Sequence, residues 1–288
     1  TDKVLIKEDL LGKFLLDERI EDFIKTLNDK KRCHLKGVVG SGLSFIIESS
    51  IRHLGGHHLF IGEDKEHGAY VLNDIQSLNE KRSTAFFPAS YTIAYQEEKV
   101  DNGNVLMRAE TLQKLSQNRS NAIFTHPIAL AEKVVSKKKL TENTVSIHVG
   151  EKLDSEFINE YLLEFKFNKV DYVYEPGQFS IRGGIIDVFS FANEYPLRIE
   201  LFRDEVESIR SFDPVDQLSN SKHKKASIIP NVQDKTMLES RSSFIEFLPK
   251  NTVIWVDSID ALIDRLNDQM QKAERMYEKL STEIKHIE

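Results

Sequence analysis

The sequence of 288 residues has one cysteine, Cys33, and that scarcity excludes several functions at once. A single thiol forms no intramolecular disulfide and builds no cysteine cluster for zinc, so a reducing cytoplasm is the expected setting. Long apolar runs are also missing. No stretch approaches the roughly 20 residues that cross a bilayer, and the first residues lack a signal-peptide pattern, so no membrane partner is expected. Positive charge is in deficit: Lys and Arg number 39 against 46 Asp and Glu, a formal net charge of −7. Nonspecific nucleic-acid binding depends on lysine and arginine releasing counterions from phosphates, so this balance argues against a general DNA-binding module.

Two further absences are local. Residues 34–44 (HLKGVVGSGLS), followed by an apolar helical run over 45–54, give the order strand, glycine-rich turn, helix that makes a phosphate-binding loop credible. A working loop of this kind reads G-x-x-x-x-G-K-[ST], with the lysine neutralising phosphates and the hydroxyl holding magnesium. Gly37 and Gly42 keep the glycine spacing, Gly40 lies between them and Ser44 keeps the hydroxyl, but Leu43 stands where the lysine belongs. An isobutyl group stabilises no charge on a transferring phosphoryl group. Near the other end, residues 251–260 read as a buried strand ending in aspartate. This stretch looks like a degenerate second ATPase motif: helicases place Asp-Glu at such a strand end, the aspartate on magnesium and the glutamate positioning water, and here Asp257 is kept while Ser258 replaces the glutamate. A serine hydroxyl is a poor general base. The segment is therefore expected to have no catalytic residue, no cofactor and no metal. His53, His57, His58 and His67 straddle helix, strand and turn without an i, i+4 pair or a carboxylate at ligand spacing, so they do not read as a metal site.

What is present is an alternation of strand and helix. Apolar spacing predicts an N-terminal helical region over 10–27, strands over 57–62, 85–88 and 121–126, and helices over 66–78, 105–115 and 128–135. Such alternation implies a parallel sheet covered by helices. Lys137, Lys138 and Lys139 then mark a solvated boundary. A smaller α+β unit follows: a strand over 145–149, a helix capped by Asp154 and running to about Phe165, and a strand meander over 173–212. Residues 213–226 read as a polar connection, 227–230 as a return to the first domain, and 244–248 as a short helix. The chain closes on a helix from Asp260, with Leu262, Ile263, Leu266, Met270, Ala273, Met276, Tyr277 and Leu280 forming a stripe. We read that stripe as packing on the core; about three heptads favour a coiled coil less.

The meander carries the most information. Phe179 and Ile181, Ile186 and Val188, and Leu197, Ile199 and Leu201 alternate onto one face, and Gly183 and Gly184 supply a two-residue hairpin turn. The opposite face receives Gln178, Ser180 and Arg182, then Asp187 and Phe189, then Arg198, Glu200 and Phe202. Arginines and aromatics together suit the centre of a protein interface. An ordinary solvated sheet face, with its phenylalanines covered by the same domain, is the competing reading.

The run GQFSIRGGIIDVFSF, followed by PLRIELFRDEVESIRSFDP, resembles the segment shared by the UvrB subunits of nucleotide excision repair and the bacterial transcription-repair coupling factors. The Gly-Gly pair and the FDPVDQLS continuation are closer to the coupling factors. The resemblance implies an α/β fold: a degenerate, RecA/helicase-like parallel-sheet P-loop domain (1–130, returning over 213–288) with an inserted α+β domain (131–212) that contains an antiparallel sheet. It also implies an adaptor that docks UvrA, the damage-recognition ATPase, through Arg182, Phe189, Arg198 and Glu200, with Phe202 added to that set. Ser180 departs from the UvrB pattern, which has a second arginine there. In that family the RNA polymerase and DNA contacts, and an ATP-driven translocase motor, lie in later domains. The resemblance also implies that the C-terminal region of the same parent protein can mask the docking face. Residues 86–95 are similar to the point where UvrB extends an aromatic hairpin into DNA, but only Tyr91 and Tyr95 remain. Nucleotide binding or DNA binding by a UvrB-like module are the alternatives.

Overall fold

The computed structural model describes residues 10–30, 32–90, 102–116, 122–232 and 241–285. Its first unit is a parallel sheet of four strands in the order β14-β1-β3-β2, where β1 is His58–Ile61, β2 Thr84–Phe87, β3 Ala122–Thr125 and β14 Val253–Val256. All residues of β1 and β3 are buried, as expected for strands covered on both faces. Alternation divides them between two cores. Leu59, Ile61 and Ile123 pack with Phe87, Leu112 and Phe244. Phe60, Ala122 and Phe124 face Ile47, Ile75 and Trp255 on the other side. The helices Lys65–Leu78 and Asn102–Ser116 make the crossovers that parallel pairing requires. Asp64 starts the first of these by accepting a hydrogen bond from the His67 amide at 2.7 Å.

Two local expectations are corrected in this unit. The strand expected to lead into the glycine-rich turn of residues 34–44 does not form; residues 32–41 are irregular and turn, and lead into the helix Gly42–Leu54. The predicted helix over 128–135 stops at Ala131, and Val134–Val135 becomes β4, paired with β13 (Arg241–Ser242). The lysine run is not a linker either. It opens the helix Lys137–Glu142, capped by the Ser136 hydroxyl.

The second unit is a sheet of six strands in the order β11-β10-β9-β8-β7-β6. These are β6 Asn168–Lys169, β7 Gln178–Arg182, β8 Ile185–Val188, β9 Leu197–Phe202, β10 Glu205–Phe212 and β11 Ser219–His223. Its inner face is the predicted one: Phe179, Ile186, Val188, Leu197 and Ile199 are buried against Ile158, Tyr161 and Leu162 of the helix Ser155–Glu164, with Ile181 and Leu201 half-buried beside them. The β7–β8 hairpin has Gly183 at φ +59°, in the left-handed region that glycine enters without cost. Gly184 is needed for another reason. A Cβ there would stand 2.7 Å from the Leu201 carbonyl oxygen, because β9 crosses directly beside the turn.

Strand pairing carries this unit past Phe212. The polar stretch expected as a connection contains β11, an edge strand exposed at every residue, and β12 (Lys225–Ile228), which pairs antiparallel with β5 (Val145–His148). The chain changes unit between two adjacent residues: Ile228 is buried in the core of the second unit and Ile229 in that of the first. The Ser190 hydroxyl fastens the crossing by accepting a hydrogen bond from the Ile229 amide at 2.8 Å.

Candidate docking face

The outer face of β7–β10 is organised by one buried carboxylate. Asp187 lies opposite Ser180 on one side and Arg198 on the other, and its side chain is fully buried. Arg182 donates to it at 2.6 Å, and Arg198 donates twice, at 2.7 and 2.9 Å. An ionised carboxylate taken out of water needs such partners. The hydrogen bond from Arg198 to Asp187 raises the guanidinium pKa further above its ordinary value. Both arginines stay in reach of a partner: the Arg182 side chain is 39% exposed and that of Arg198 18%. Arg182 also donates to the Asp171 carbonyl and lies 5.1 Å from the Tyr172 ring; Arg198 lies 4.5 Å from the ring of Phe212.

One row along the sheet, Glu200 accepts from the Ser208 hydroxyl at 2.6 Å and from Arg210. The register then places Lys222 beside Arg210. On these rows Arg182, Arg198, Arg210 and Lys222 face Asp187 and Glu200, so four cations less two carboxylates leave a surplus of two positive charges. That surplus sits on a chain of net charge −7. Phe202 projects at the end of β9, 65% exposed, and Ile185, Tyr172 and Tyr174 extend an apolar rim.

Phe189 corrects the predicted set. It is 5% exposed and packs with Val173 and Phe212 beneath the chain that precedes β7. Parity places it on the outer side, but the chain folds back there: the Gly177 amide donates to the Phe189 carbonyl and the Phe189 amide to that of Gln178. Ser180, also assigned to this face, is 2% exposed and donates to the Asp171 carbonyl. Arg210 was missed for a definable reason. The register shifts between Val206 and Ser208, so Val206 faces the core while Ser208 and Arg210 turn outward, and a count by twos along β10 fails at this bulge.

The residues expected to form a spoiled nucleotide site serve the fold. The Ser44 hydroxyl, 2% exposed, donates to Asp74 at 2.9 Å, and Leu43 packs against the core around Phe60 and Trp255. Gly37 and Gly40 have positive φ within the irregular segment, and Gly42 opens the helix. Asp257, at the end of β14, contacts His67 Nδ1 at 2.8 Å, a carboxylate partner that spacing along the chain did not reveal. Burial raises the Asp257 pKa above the usual carboxylate value. Ser258 caps the following helix by accepting from the Ala261 amide at 3.2 Å. A cleft of about 120 Å³ lies beside Asp257, lined by Gly62, Glu63, Pro127 and Arg265 among others, and residues 37–44 do not reach it. A nucleotide with magnesium does not fit this set: the lysine is absent, the hydroxyl is engaged and the carboxylate is paired.

The remaining histidines contribute locally. His53 contacts the Ser49 carbonyl, and His58 lies between the Gly55 carbonyl and the indole of Trp255, which donates to it at 3.2 Å. Tyr91 and Tyr95 lie outside the described residues. No helix among the described residues is long and apolar enough to cross a membrane.

Comparison with known proteins places this geometry. Residues 145–233 match the UvrB interaction domain, a span that holds the whole antiparallel sheet. The transcription-repair-coupling factor of Bacillus subtilis (strain 168) is 29% identical over 214 residues, covering 70% of this chain and 18% of that protein. That of Myxococcus xanthus is 31% identical over 144 residues, 50% of this chain and 12% of its own. The UvrABC system protein B of Ureaplasma parvum serovar 3 is 25% identical over 290 aligned residues, covering 93% of this chain and 42% of its own. The chain thus spans less than half the length of each of these relatives. Residues 145–233 thus match the UvrB interaction domain, and the chain that carries them is similar to the transcription-repair-coupling factors and to the UvrABC system proteins B.

Proposed function

We propose that this chain is a protein adaptor that recruits UvrA during transcription-coupled nucleotide excision repair, bringing it to stalled RNA polymerase without hydrolysing ATP itself. One observation carries the reading. Within the matched span, a sheet face presents arginines pre-set by a buried aspartate, next to an exposed phenylalanine. Side chains already held in place lose little freedom on binding, which favours recognition by a rigid surface. The cationic surplus suits an acidic patch on the partner. Loss of the ATP chemistry is supported by the second uses found for Ser44, Asp257 and Ser258.

A pull-down with purified UvrA tests it. Arg182→Ala and Phe202→Ala are expected to weaken binding by about 5- to 30-fold each, the range for truncating an interface arginine or aromatic by about 1–2 kcal/mol. Wild-type binding by both variants overturns the assignment of the face. Micromolar, magnesium-dependent binding of a fluorescent ATP analogue would favour a nucleotide-binding module instead.

A further inference from the structure

The apolar stripe of the helix Ile259–Lys285, expected to pack on the core, leaves Ile263, Met270 and Tyr277 48%, 63% and 64% exposed, and no charge pattern beside it selects a partner. The edge of the antiparallel sheet is different. At one end the sheet stops at β6, whose two residues make a short edge of the kind that resists further pairing. At the other end stands β11, five residues long, bonded to β10 on one side and to no strand on the other among the described residues. A backbone edge of that length offers a row of amide and carbonyl groups to a further strand. All of residues 218–225 are exposed.

We propose that β11 is a docking edge for an extended, acidic segment of a partner protein, which adds to the sheet as a further strand. Charge complementarity argues for this occupant. Residues 222–225 read Lys-His-Lys-Lys, on a chain of net charge −7. Lys222, Lys224 and Lys225 form no ion pair among the described residues, so their charges are open to an incoming carboxylate. The acids of the preceding turn are engaged: Asp213 accepts from the Val215 amide at 2.7 Å, and Asp216 from that of Leu218 at 2.8 Å. Strand alternation sets the pattern of the incoming segment. Lys222 lies opposite Arg210 and shares the outer face with Asn220, while His223 turns to the inner face, where its Nε2 lies 3.0 Å from the Ser211 hydroxyl. A partner strand therefore places carboxylates at every second position, on the side of Lys222. Val215 and Leu218, 85% and 66% exposed at the start of the edge, suit an apolar residue at one end of that segment. A second copy of the same edge is a poor occupant, because it brings one set of lysines to the other. The proposal rests on the edge of the sheet and not on the recruitment of UvrA.

Fluorescence anisotropy with labelled synthetic peptides tests the edge. A peptide of alternating Glu and Val is expected to bind the chain saturably, and about tenfold more tightly than an alternating Glu-Pro peptide of equal charge, which lacks half of the amide donors that a ladder needs. The double variant Lys222→Glu, Lys224→Glu is expected to weaken binding of the Glu-Val peptide by about tenfold or more. Both side chains are exposed, so its circular dichroism is expected to match that of wild type. Amide exchange over residues 219–223 is expected to slow when the Glu-Val peptide is bound. Equal binding of the two acidic peptides reduces the interaction to charge and overturns strand addition, as does exchange over 219–223 that the bound peptide leaves unchanged. No saturable binding, or a double variant that binds like wild type, overturns the docking edge. Tighter binding of a DNA duplex, lost in the same double variant, assigns the lysines to phosphates and overturns it as well.

Discussion

Asp187 holds the sheet face together because it is fully buried between two arginines. Asp187→Ala leaves both guanidiniums to water and costs about 2 kcal/mol, the scale of a lost charged hydrogen-bond set, read as a lower urea midpoint. The two phenylalanines separate by burial. Phe189→Ala empties a packed site and costs about 3–5 kcal/mol, whereas Phe202→Ala stays within about 0.5 kcal/mol of wild type in thermal melts. Equal losses would mean that Phe202 is not a surface residue. Sequence alternation made Arg182, Arg198, Glu200 and Phe202 legible, since each sits in a regular strand. It failed at Phe189, which follows the end of β8 where a distant segment covers it, and at Arg210, which lies past a bulge. Burial also sets a pH response. His58 and His126 have pKa values lowered from 6.5 to about 4, mainly by desolvation. The unfolded chain binds protons below pH 6.5 that the folded chain refuses until about 4, so stability falls as pH drops through that window. Each histidine contributes at most about 3.5 kcal/mol, since each pH unit between the unfolded and folded values is worth about 1.4 kcal/mol. Urea titrations at pH 7 and pH 4.5 are expected to differ accordingly, and His126→Asn to reduce the difference.

At the scale of elements, the helix Gly42–Leu54 is tied to its neighbour by buried polar side chains. Its Glu48 is fully buried and bonded to Arg82 at 2.7 Å, to Asn79 at 2.9 Å and to Arg52 at 3.1 Å, tying it to the end of the helix Lys65–Leu78. Ser44 makes a second tie to the same helix through Asp74. The loop before it follows no strand, so its glycines are not held against the sheet. Restoring the missing side chains is therefore expected to be insufficient: the double variant Leu43→Lys, Ser258→Glu releases no phosphate from ATP above background. Turnover in that variant would show that the loop still assembles a nucleotide site. The strand expected before the glycine-rich turn of residues 34–44 needs a partner ladder to exist, and pairing is not encoded in so short a stretch alone. The reverse holds for β11, whose five polar residues give no apolar signal and which backbone pairing with β10 holds in place.

At the scale of the molecule, two cores meet where Ile228 and Ile229 face opposite ways, and the division of labour follows the same line. The parallel-sheet unit engages Ser44, Asp257 and Ser258 in contacts within its own fold, and the antiparallel unit offers a charged, pre-set face. The alternation of strand and helix and the later meander made both units readable from the sequence. Where the second unit ends was not readable, because β11 and β12 are too polar to register as strands. Hydrogen–deuterium exchange of the chain with and without purified UvrA tests the assignment most directly, since protection reports the covered backbone without any substitution. Slowed exchange confined to residues 180–188 and 197–212, with 37–44 and 253–258 unchanged, is the expected result. Protection on the parallel-sheet unit, with β7–β10 exchanging as in the free chain, would contradict it.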